Sequence, residues 1–367
     1  MPQENTSPTP NQAGRWIVTK FGDPNVLKWE LWDPYADLSA GHALVRIITA
    51  GIAGPDNLQR VGGYPDPRSS KPGFTPGYDF VGEVVALGST PPEGTPLAVG
   101  DRVTSMCVTG SHATHIILPF TELVRIDPSD DPIKVCALPL NYMTAWGLLK
   151  HSGVNLVPGS SILIGSASGG VGTAMAELVH AFNLDLNMIG SCSPSKFDYV
   201  KSLGVTPVDR TASDLVEQVL ALTNGEGVDV AYDAVGSEDS LRKSHLSTKK
   251  DTGVVIAIGI MAEIAPDGSS LMQENFDPNA LLAARWQPRM ERWSVDRSYY
   301  QKTRQVWFDD FYAILDKVRK GELTPTIAKL LRLSDAIEAH KLLISGTAVK
   351  GKMLFIVDGE LAAQHGL

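Results

Sequence analysis

The chain has 367 residues, of which 43% are hydrophobic and 20% charged, and its formal net charge is −9. This balance is typical of a globular protein long enough for two domains, and the acidic charge without a long Lys/Arg run argues against a nucleic-acid or membrane-surface partner. Three widely separated cysteines, Cys107, Cys136 and Cys192, exclude a disulfide framework and a four-thiolate zinc site, and we expect them to be buried thiols.

The N-terminal part of the chain has the pattern of a β domain preceded by a polar tail. Residues 1–14 are rich in Pro, Asn, Thr and Gln, lack the apolar region of a signal peptide, and are predicted to be a disordered tail. No stretch reaches the ~20 apolar residues of a membrane helix, so we expect a cytoplasmic protein. From 15 to 138, short apolar runs such as 43–49 and 80–85 alternate with Gly and Pro, which indicates a β-barrel-like domain.

From residue 139 the pattern changes to strands that alternate with helices. Buried strands are predicted at 161–165, 186–190, 228–232 and 254–258, and helices at 171–182, 194–203, 212–223 and 306–320. This alternation predicts an α/β fold with a doubly wound, Rossmann-type parallel sheet over 139–322. Because that unit already looks complete, the helix and strand predicted in 323–367 are expected to return to the first domain.

The segment 261–300 is less regular than its surroundings and is rich in aromatic and arginine residues. These are Phe276, Trp286, Trp293, Tyr299, Tyr300, Arg285, Arg289, Arg292 and Arg297. A lid, a subunit contact and a loop-rich extension all fit this composition. If the segment lines the substrate pocket, it suits a bulky apolar acceptor.

A glycine-rich turn, Ala-Ser-Gly-Gly-Val-Gly, separates the first of the predicted buried strands from the helix that follows. Gly169 is expected to permit the tight turn, Gly170 to let the backbone approach a pyrophosphate, and Gly172 to let the helix pack close to the strand. The free N–H groups at the helix start would face the phosphates. The predicted phosphate-binding residues are Ser168, Gly169, Gly170, Val171 and Gly172; the alternative is a purely structural turn.

The end of the second buried strand selects between NADH and NADPH. Sites for NAD usually carry Asp or Glu there, whereas residues 190–196 read Gly-Ser-Cys-Ser-Pro-Ser-Lys and contain no acid. Ser191 and Ser193 can donate hydrogen bonds to a 2′-phosphate, Lys196 can supply charge, and Arg210 is a further candidate cation. We therefore predict NADPH as the cofactor; the alternative is that Lys196 only solvates the helix start.

Five motifs occur in an order that is found in one large family. They are Pro-Gly-Tyr-Asp-Phe-Val-Gly at 76–82, Gly-Asp-Arg-Val at 100–103, Pro-Leu-Asn-Tyr-Met-Thr-Ala-Trp at 139–146, the glycine turn, and Val-Asp-Val-Ala-Tyr-Asp-Ala-Val-Gly at 228–236. The chain resembles the medium-chain dehydrogenase/reductase superfamily, and within it the zinc-free quinone oxidoreductase and enoyl reductase branch. The resemblance implies a GroES-like catalytic domain, a Rossmann domain, an active site in the cleft between them, and a homodimer.

The resembling zinc alcohol dehydrogenases carry metal ligands at positions where this chain has other residues. The loop 50–56 has no Cys, and the turn 76–79 has Tyr78 and Asp79 where a Gly-His-Glu turn would supply His. Cys136 cannot hold zinc alone. We therefore predict no metal, and without a Lewis acid we expect hydride addition to an activated C=C bond or a quinone rather than alcohol oxidation.

The resemblance also suggests residues near the nicotinamide. Tyr64 matches a tyrosine placed over that ring in the family; it is either a proton donor or a packing residue. Thr144 matches a threonine near the nicotinamide carboxamide. The remaining predicted contacts are Val235 and Gly236 at a ribose edge, and Gly259 and Ile260 through their backbone.

Several further expectations concern residues near the site and the function as a whole. Asp56 and Asp79 match family acids and are expected to be structural caps of turns, and Ala53 stands where the family often has Asn. The substrate is expected to be a small molecule, and a bulky secondary metabolite is one candidate. Two other functions stay open: an NADPH-dependent ketone reductase or alcohol dehydrogenase, and a non-catalytic NADPH-binding protein like the lens crystallins of this branch.

Overall fold

The computed structural model describes residues 13–91, 93, 97–272, 277–346 and 349–367. The predicted tail as far as residue 12, and Phe276, lie outside these residues. The strands of the described residues are β1 (Gly14–Val18), β2 (Leu27–Leu31), β3 (His42–Ile52), β4 (Phe80–Leu87), β5 (Arg102–Ser105), β6 (His115–Pro119), β7 (Val124–Arg125), β8 (Ser161–Ile164), β9 (Asn187–Cys192), β10 (Thr206–Asp209), β11 (Val230–Asp233), β12 (Val254–Ala257), β13 (Met290–Arg292), β14 (Ile327–Arg332) and β15 (Lys352–Ile356).

The helices connect these strands and cover the second sheet. They are α1 (Gly54–Arg60), α2 (Pro132–Cys136), α3 (Met143–His151), α4 (Gly170–Ala181), α5 (Phe197–Ser202), α6 (Leu215–Leu222), α7 (Glu238–Leu246), α8 (Pro278–Ala284), α9 (Arg304–Arg319), α10 (Ala336–Ser345) and α11 (Gly359–Gln364). Among the described helices, none combines the length and the apolar character needed to cross a lipid bilayer.

The first sheet contains seven strands and is built from both ends of the chain. Its order is β14-β15-β3-β4-β5-β7, and β6 pairs with β3 beside this path. The long strand β3 therefore holds the sheet together, and its side chains Val45 and Ile47 are buried in the core. The C-terminal strand lies in this sheet, where Met353 of β15 pairs antiparallel with Ile52 of β3.

The second sheet is parallel and has the order β10-β9-β8-β11-β12-β13. Numbered within the sheet, this is the 3-2-1-4-5-6 order of the Rossmann fold, whose ligand crevice lies where the strand order reverses, here between β8 and β11. The predicted α/β fold with a Rossmann-type sheet is thus confirmed.

Two strands of this sheet, β10 and β13, were not predicted. β13 lies within the irregular segment 261–300 and has only three residues, of which Glu291 and Arg292 are exposed. β10 is a short edge strand that contains Pro207. Short edge strands carry no buried apolar run, so their pattern is weak.

The two sheets pack against each other through a shared apolar core. Tyr78 and Val81 from the first sheet region belong to the same buried cluster as Ile164 and Tyr232 from the second. The carboxyl ends of the parallel strands therefore face the loops of the first sheet across a closely packed boundary.

Candidate active site

The glycine turn lies between β8 and α4, at the carboxyl edge of the parallel sheet. A Cβ at Gly172 would lie 2.7 Å from both the Cα and the carbonyl oxygen of Ala167, so only glycine allows this approach of helix and turn. Gly169 has φ −77°, and the left-handed residue of the turn is Ser166, with φ 57°.

The first turn of α4 is available to an anion. Gly169 is its N-cap residue and supplies no side-chain cap, so the helix start keeps backbone donors that a ligand can use. Ser168 lies beside it and is buried, while Val171 is partly exposed. At Gly170 a Cβ would meet Asn141 Nδ2 at 2.1 Å, so this glycine also makes room for a neighbouring side chain.

The end of β9 brings together the residues predicted to select the cofactor. The carbonyl of Ser191 accepts a hydrogen bond from Ala167 N at 3.0 Å, and that of Ser193 accepts one from Lys196 N at 2.9 Å. The backbone N–H of Arg210 donates to the Cys192 carbonyl at 3.1 Å. These backbone contacts place the end of β9 next to the glycine turn and connect the segments of Lys196 and Arg210 to it.

A third cation, Lys350, lies near Lys196 and was not predicted from the sequence. Burial lowers the pKa of Lys196, and the charges of Arg210 and Lys350 lower it further. The Lys196 ammonium donates to the carbonyl of Gly346 and, at 2.8 Å, to that of Val349. Because Lys350 comes just before β15, far along the chain from β9, no local pattern links it to the cofactor turn.

The loops after β11 and β12 meet at the same edge of the sheet. Asp233 accepts hydrogen bonds from Val235 N at 2.9 Å and Gly236 N at 2.8 Å, which fixes the first loop. Gly236 has φ 69°, and a Cβ there would lie 2.5 Å from the Gly259 carbonyl oxygen. The structure therefore brings Val235, Gly236, Gly259 and the buried Ile260 together.

Thr144 lies in the first turn of α3, and its hydroxyl is free to bond a ligand. Its side chain is 8% exposed, and its Oγ1 has no hydrogen-bond partner in the described part of the chain. A buried hydroxyl without a partner indicates that a ligand group completes the site. Together with the uncapped start of α4 and the cation group at β9, this orphaned hydroxyl fits a phosphorylated dinucleotide.

Tyr64 extends from the first sheet region towards the carboxyl edge of the second. It is partly exposed and packs against an apolar cluster that contains Ile260. Its hydroxyl lies 2.7 Å from the hydroxyl of Tyr78, and the two rings meet edge to face at 6.0 Å. Burial raises the pKa of Tyr64 above its ordinary value, so the phenol stays protonated at neutral pH.

Asp56 has the structural role predicted for it. Its carboxylate accepts hydrogen bonds from Ala53 N at 2.7 Å and from Gly77 N at 3.1 Å, and so joins α1 to the turn that carries Tyr78. Burial raises the pKa of Asp56 to about 7, although both hydrogen bonds act in the opposite direction.

Asp79 is also structural, but its partner was not anticipated. It forms a buried ion pair with Lys352 of β15, with Nζ–O distances of 2.9 and 3.0 Å, and accepts a hydrogen bond from Leu140 N at 3.2 Å. A Cβ at Gly51 would lie 1.8 Å from Asp79 Oδ1, so glycine makes room for this pair.

Among the described residues, the three cysteine thiols and the possible metal ligands form no further functional site. Cys107, Cys136 and Cys192 are buried and unpaired, as expected, and burial raises the pKa of the Cys136 thiol. Within the described ranges, no group of three His, Cys, Asp or Glu side chains is arranged to hold a metal ion.

Two family models match the two halves of the chain. The alcohol dehydrogenase GroES-like domain matches residues 39–128, and the zinc-binding dehydrogenase family matches residues 170–285. The first range includes most of the strands of the first sheet, and the second begins at Gly170 within the glycine turn and includes β9, β10, β11 and β12.

Several curated proteins are similar over most of the chain. A quinone oxidoreductase-like protein 2 homolog of Nematostella vectensis is 30% identical over 301 residues, which are 79% of each protein. A 2-haloacrylate reductase of Burkholderia sp is 28% identical over 89% of this chain and 93% of its own length. The chain is 26% identical to a synaptic vesicle membrane protein VAT-1 homolog of Danio rerio and spans 66% of its length.

The fold is similar to that of a solved quinone oxidoreductase. The Escherichia coli quinone oxidoreductase complexed with NADPH has a TM-score of 0.79 and 23% sequence identity. The similarity covers 94% of this chain and all of the other one.

Proposed function

Since the chain belongs to the medium-chain dehydrogenase/reductase superfamily, in its zinc-free quinone oxidoreductase branch, we propose that it is an NADPH-dependent reductase of an activated carbon–carbon double bond or a quinone. The observation that carries this proposal is the protonated phenol of Tyr64 beside Ile260 at the carboxyl edge of the parallel sheet. An enone that gains a hydride develops charge on its oxygen, which needs a hydrogen-bond donor, and its α-carbon then needs a proton.

The residues at the crevice fit NADPH. Bound there, the cofactor would supply the hydride. The uncapped start of α4 would hold the pyrophosphate, and the Thr144 hydroxyl would meet the carboxamide. Lys196 and Arg210 would hold the 2′-phosphate, and Ser191 and Ser193 would donate hydrogen bonds to it. In this arrangement Lys350 adds a third positive charge to the same place.

Tyr78 supports reduction of a double bond over zinc-assisted alcohol chemistry. It stands in the turn where the resembling zinc enzymes have a ligand histidine, and its hydroxyl is bonded to Tyr64. The histidine position of the zinc enzymes is therefore occupied by a phenol that is bonded to Tyr64. A phenol donor such as Tyr64 suits the stabilisation of an enolate or a reduced quinone oxygen.

The function can be tested by following NADPH oxidation by the purified chain with a small panel of acceptors. Cyclohex-2-enone and menadione are expected to be reduced, whereas cyclohexanone, which offers only a carbonyl, is not. Reduction of cyclohexanone alone would favour the ketone reductase. Failure of NADPH to raise the Tm of the chain would contradict any NADPH-dependent activity, whereas a raised Tm without reduction of any acceptor would favour the non-catalytic NADPH-binding protein.

The cofactor assignment can be tested at Lys196. Replacing Lys196 with Ala is expected to raise the Kd for NADPH about 10- to 100-fold, because one charge-assisted hydrogen bond to phosphate is lost. The Kd for NADH should change by less than about twofold, because NADH lacks the 2′-phosphate. Fluorescence titration with each cofactor measures both constants.

The matched control is Lys201→Ala, which removes an exposed lysine of α5 from the neighbourhood. It should leave both constants unchanged. An equal loss of NADPH and NADH affinity in Lys196→Ala would refute the 2′-phosphate role and leave the lysine as a support of the segment around Val349.

A homodimer and a cytoplasmic location stay predictions of the sequence. Light scattering of the purified chain and fractionation of its source cells would test them.

A further inference from the structure

Tyr78 is a buried phenol next to the proposed active site. Its side chain is 1% exposed, and its hydroxyl has one hydrogen-bond partner in the described part of the chain, the hydroxyl of Tyr64 at 2.7 Å. The turn that carries Tyr78 is held on both sides, by Asp56 at Gly77 and by the ion pair of Asp79 with Lys352. Tyr78 therefore has a fixed position behind Tyr64.

The surroundings decide which of the two hydroxyls donates. A buried O–H without an acceptor costs free energy, and Tyr64 supplies the acceptor for Tyr78. Tyr64 is the less buried of the two residues and packs at the apolar cluster that contains Ile260, so its own proton is the one that can be donated to another group. Tyr78 therefore donates, the Tyr64 oxygen accepts, and the Tyr64 proton is left for a group in the cleft.

We propose that Tyr78 is a positioning residue for the reaction: it donates a hydrogen bond to the Tyr64 oxygen, orients the Tyr64 proton towards the substrate, and stabilises the charge that Tyr64 acquires when it gives up that proton. This rests on the proposed function, in which Tyr64 is the donor to the substrate.

The step balances as follows for an enone. The hydride that bound NADPH would give up, leaving NADP⁺, would add with its electron pair to the β-carbon; the π pair of the C=C bond would shift towards the carbonyl, and an enolate would form. The enolate collapses as its α-carbon takes the proton of Tyr64, whose O–H bond breaks and whose oxygen keeps the electron pair. Tyr78 keeps its own proton, and water returns a proton to Tyr64.

The test compares Tyr78→Phe with the unchanged chain by kinetics and by a spectroscopic readout. With NADPH and cyclohex-2-enone, kcat is expected to fall about tenfold, because one hydrogen bond to developing charge is lost. The KM for cyclohex-2-enone and the Kd for NADPH should change by less than about twofold, because Phe fills the same space.

The spectroscopic readout is independent of activity. Difluorotyrosine is placed at position 64, since fluorine makes the phenol acidic enough to titrate while the protein stays folded, and its ¹⁹F signal is followed against pH. In Tyr78→Phe the pKa at position 64 should rise, because the donor to the phenolate is gone. The charged groups that act on the pair, Asp66, Arg68, Asp296 and Arg297, are the same in both chains.

The matched control is Tyr232→Phe, which removes another buried hydroxyl, one that donates to the Leu148 carbonyl at 3.1 Å. It should change neither kcat nor the ¹⁹F titration.

Each result has one meaning. An unchanged titration in Tyr78→Phe would show that Tyr78 does not donate to Tyr64, and an unchanged kcat would remove its role in the reaction; either result overturns the proposal. If the unchanged chain does not reduce cyclohex-2-enone or menadione, the proposed function fails and the positioning role fails with it. The titration would then still report the direction of the hydrogen bond.

Discussion

Replacing Lys352 with Met is expected to lower the free energy of unfolding by about 3–5 kcal/mol, because the replacement leaves a buried carboxylate without its cation. Asp79 is 0% exposed and Lys352 is 1% exposed, so water cannot take the place of the ammonium. The ion pair also joins β15 to the turn after Gly77. Urea unfolding without cofactor measures the loss.

The pH dependence of this loss follows from the carboxylate. Burial already raises the pKa of Asp79, although Lys352 acts against it, and removal of Lys352 should raise the pKa further. A carboxyl group with a raised pKa binds its proton more tightly in the folded state, so its ionisation destabilises the fold as pH rises. The loss in free energy of unfolding caused by Lys352→Met should therefore become smaller as pH falls from about 7 towards about 4, which is close to the ordinary pKa of Asp.

Two further variants make this prediction specific. Lys243→Met removes a surface partner of Asp239, which is 60% exposed, and should cost less than about 1 kcal/mol. Adding Asp79→Asn to Lys352→Met should recover more than half of the loss, because no charge is then buried. A loss below about 1 kcal/mol in Lys352→Met itself would contradict the ion pair as a support of the fold.

Replacing Tyr64 with Phe is expected to lower kcat for NADPH-dependent reduction of cyclohex-2-enone about 10²- to 10⁴-fold, the usual contribution of a positioned proton donor. The Kd for NADPH should change by less than about twofold, because the hydroxyl is not assigned to the cofactor. Because burial raises the pKa of Tyr64, its phenol stays protonated and should cause no fall in kcat between about pH 6 and about pH 9.

The control for this variant is Tyr35→Phe, which removes a hydroxyl from an exposed tyrosine of the first domain. It should keep the kcat of the unchanged chain. Unchanged turnover in Tyr64→Phe, with the same Tm, would show that Tyr64 only packs against its neighbours. The reduction would then need another donor.

The cofactor region could be predicted from the sequence to a large extent. Strand, glycine turn, helix and second strand follow one another within a short stretch, and in a parallel sheet the carboxyl ends of adjacent strands meet at one edge. The order of elements along the chain therefore determines where Gly172 lies and why Lys196 and Arg210 are close to the turn. The conformation within the turn could not be predicted in the same way, because its left-handed residue is Ser166 and not a glycine.

The short strands at the sheet edges show a different limit. β13 and β10 are held by pairing with β12 and β9, not by an apolar pattern of their own. Their existence depends on the neighbouring strand, which a local pattern does not contain. The segment 261–300 therefore looked irregular although it supplies the sixth strand of the sheet.

By itself, the sequence determined the family of folds, the cofactor turn and the absence of an acid at the end of β9, because each depends on neighbouring residues and on the spacing of glycine and apolar positions. Only the tertiary structure decided that Tyr78 lies behind Tyr64, that Lys350 joins Lys196, and that Lys352 neutralises Asp79. The last two of these contacts join residues more than a hundred positions apart, and the first depends on how two loops pack. The pairing of β15 with β3 and the packing of the two sheets bring these side chains together, and no periodicity along the chain encodes that arrangement.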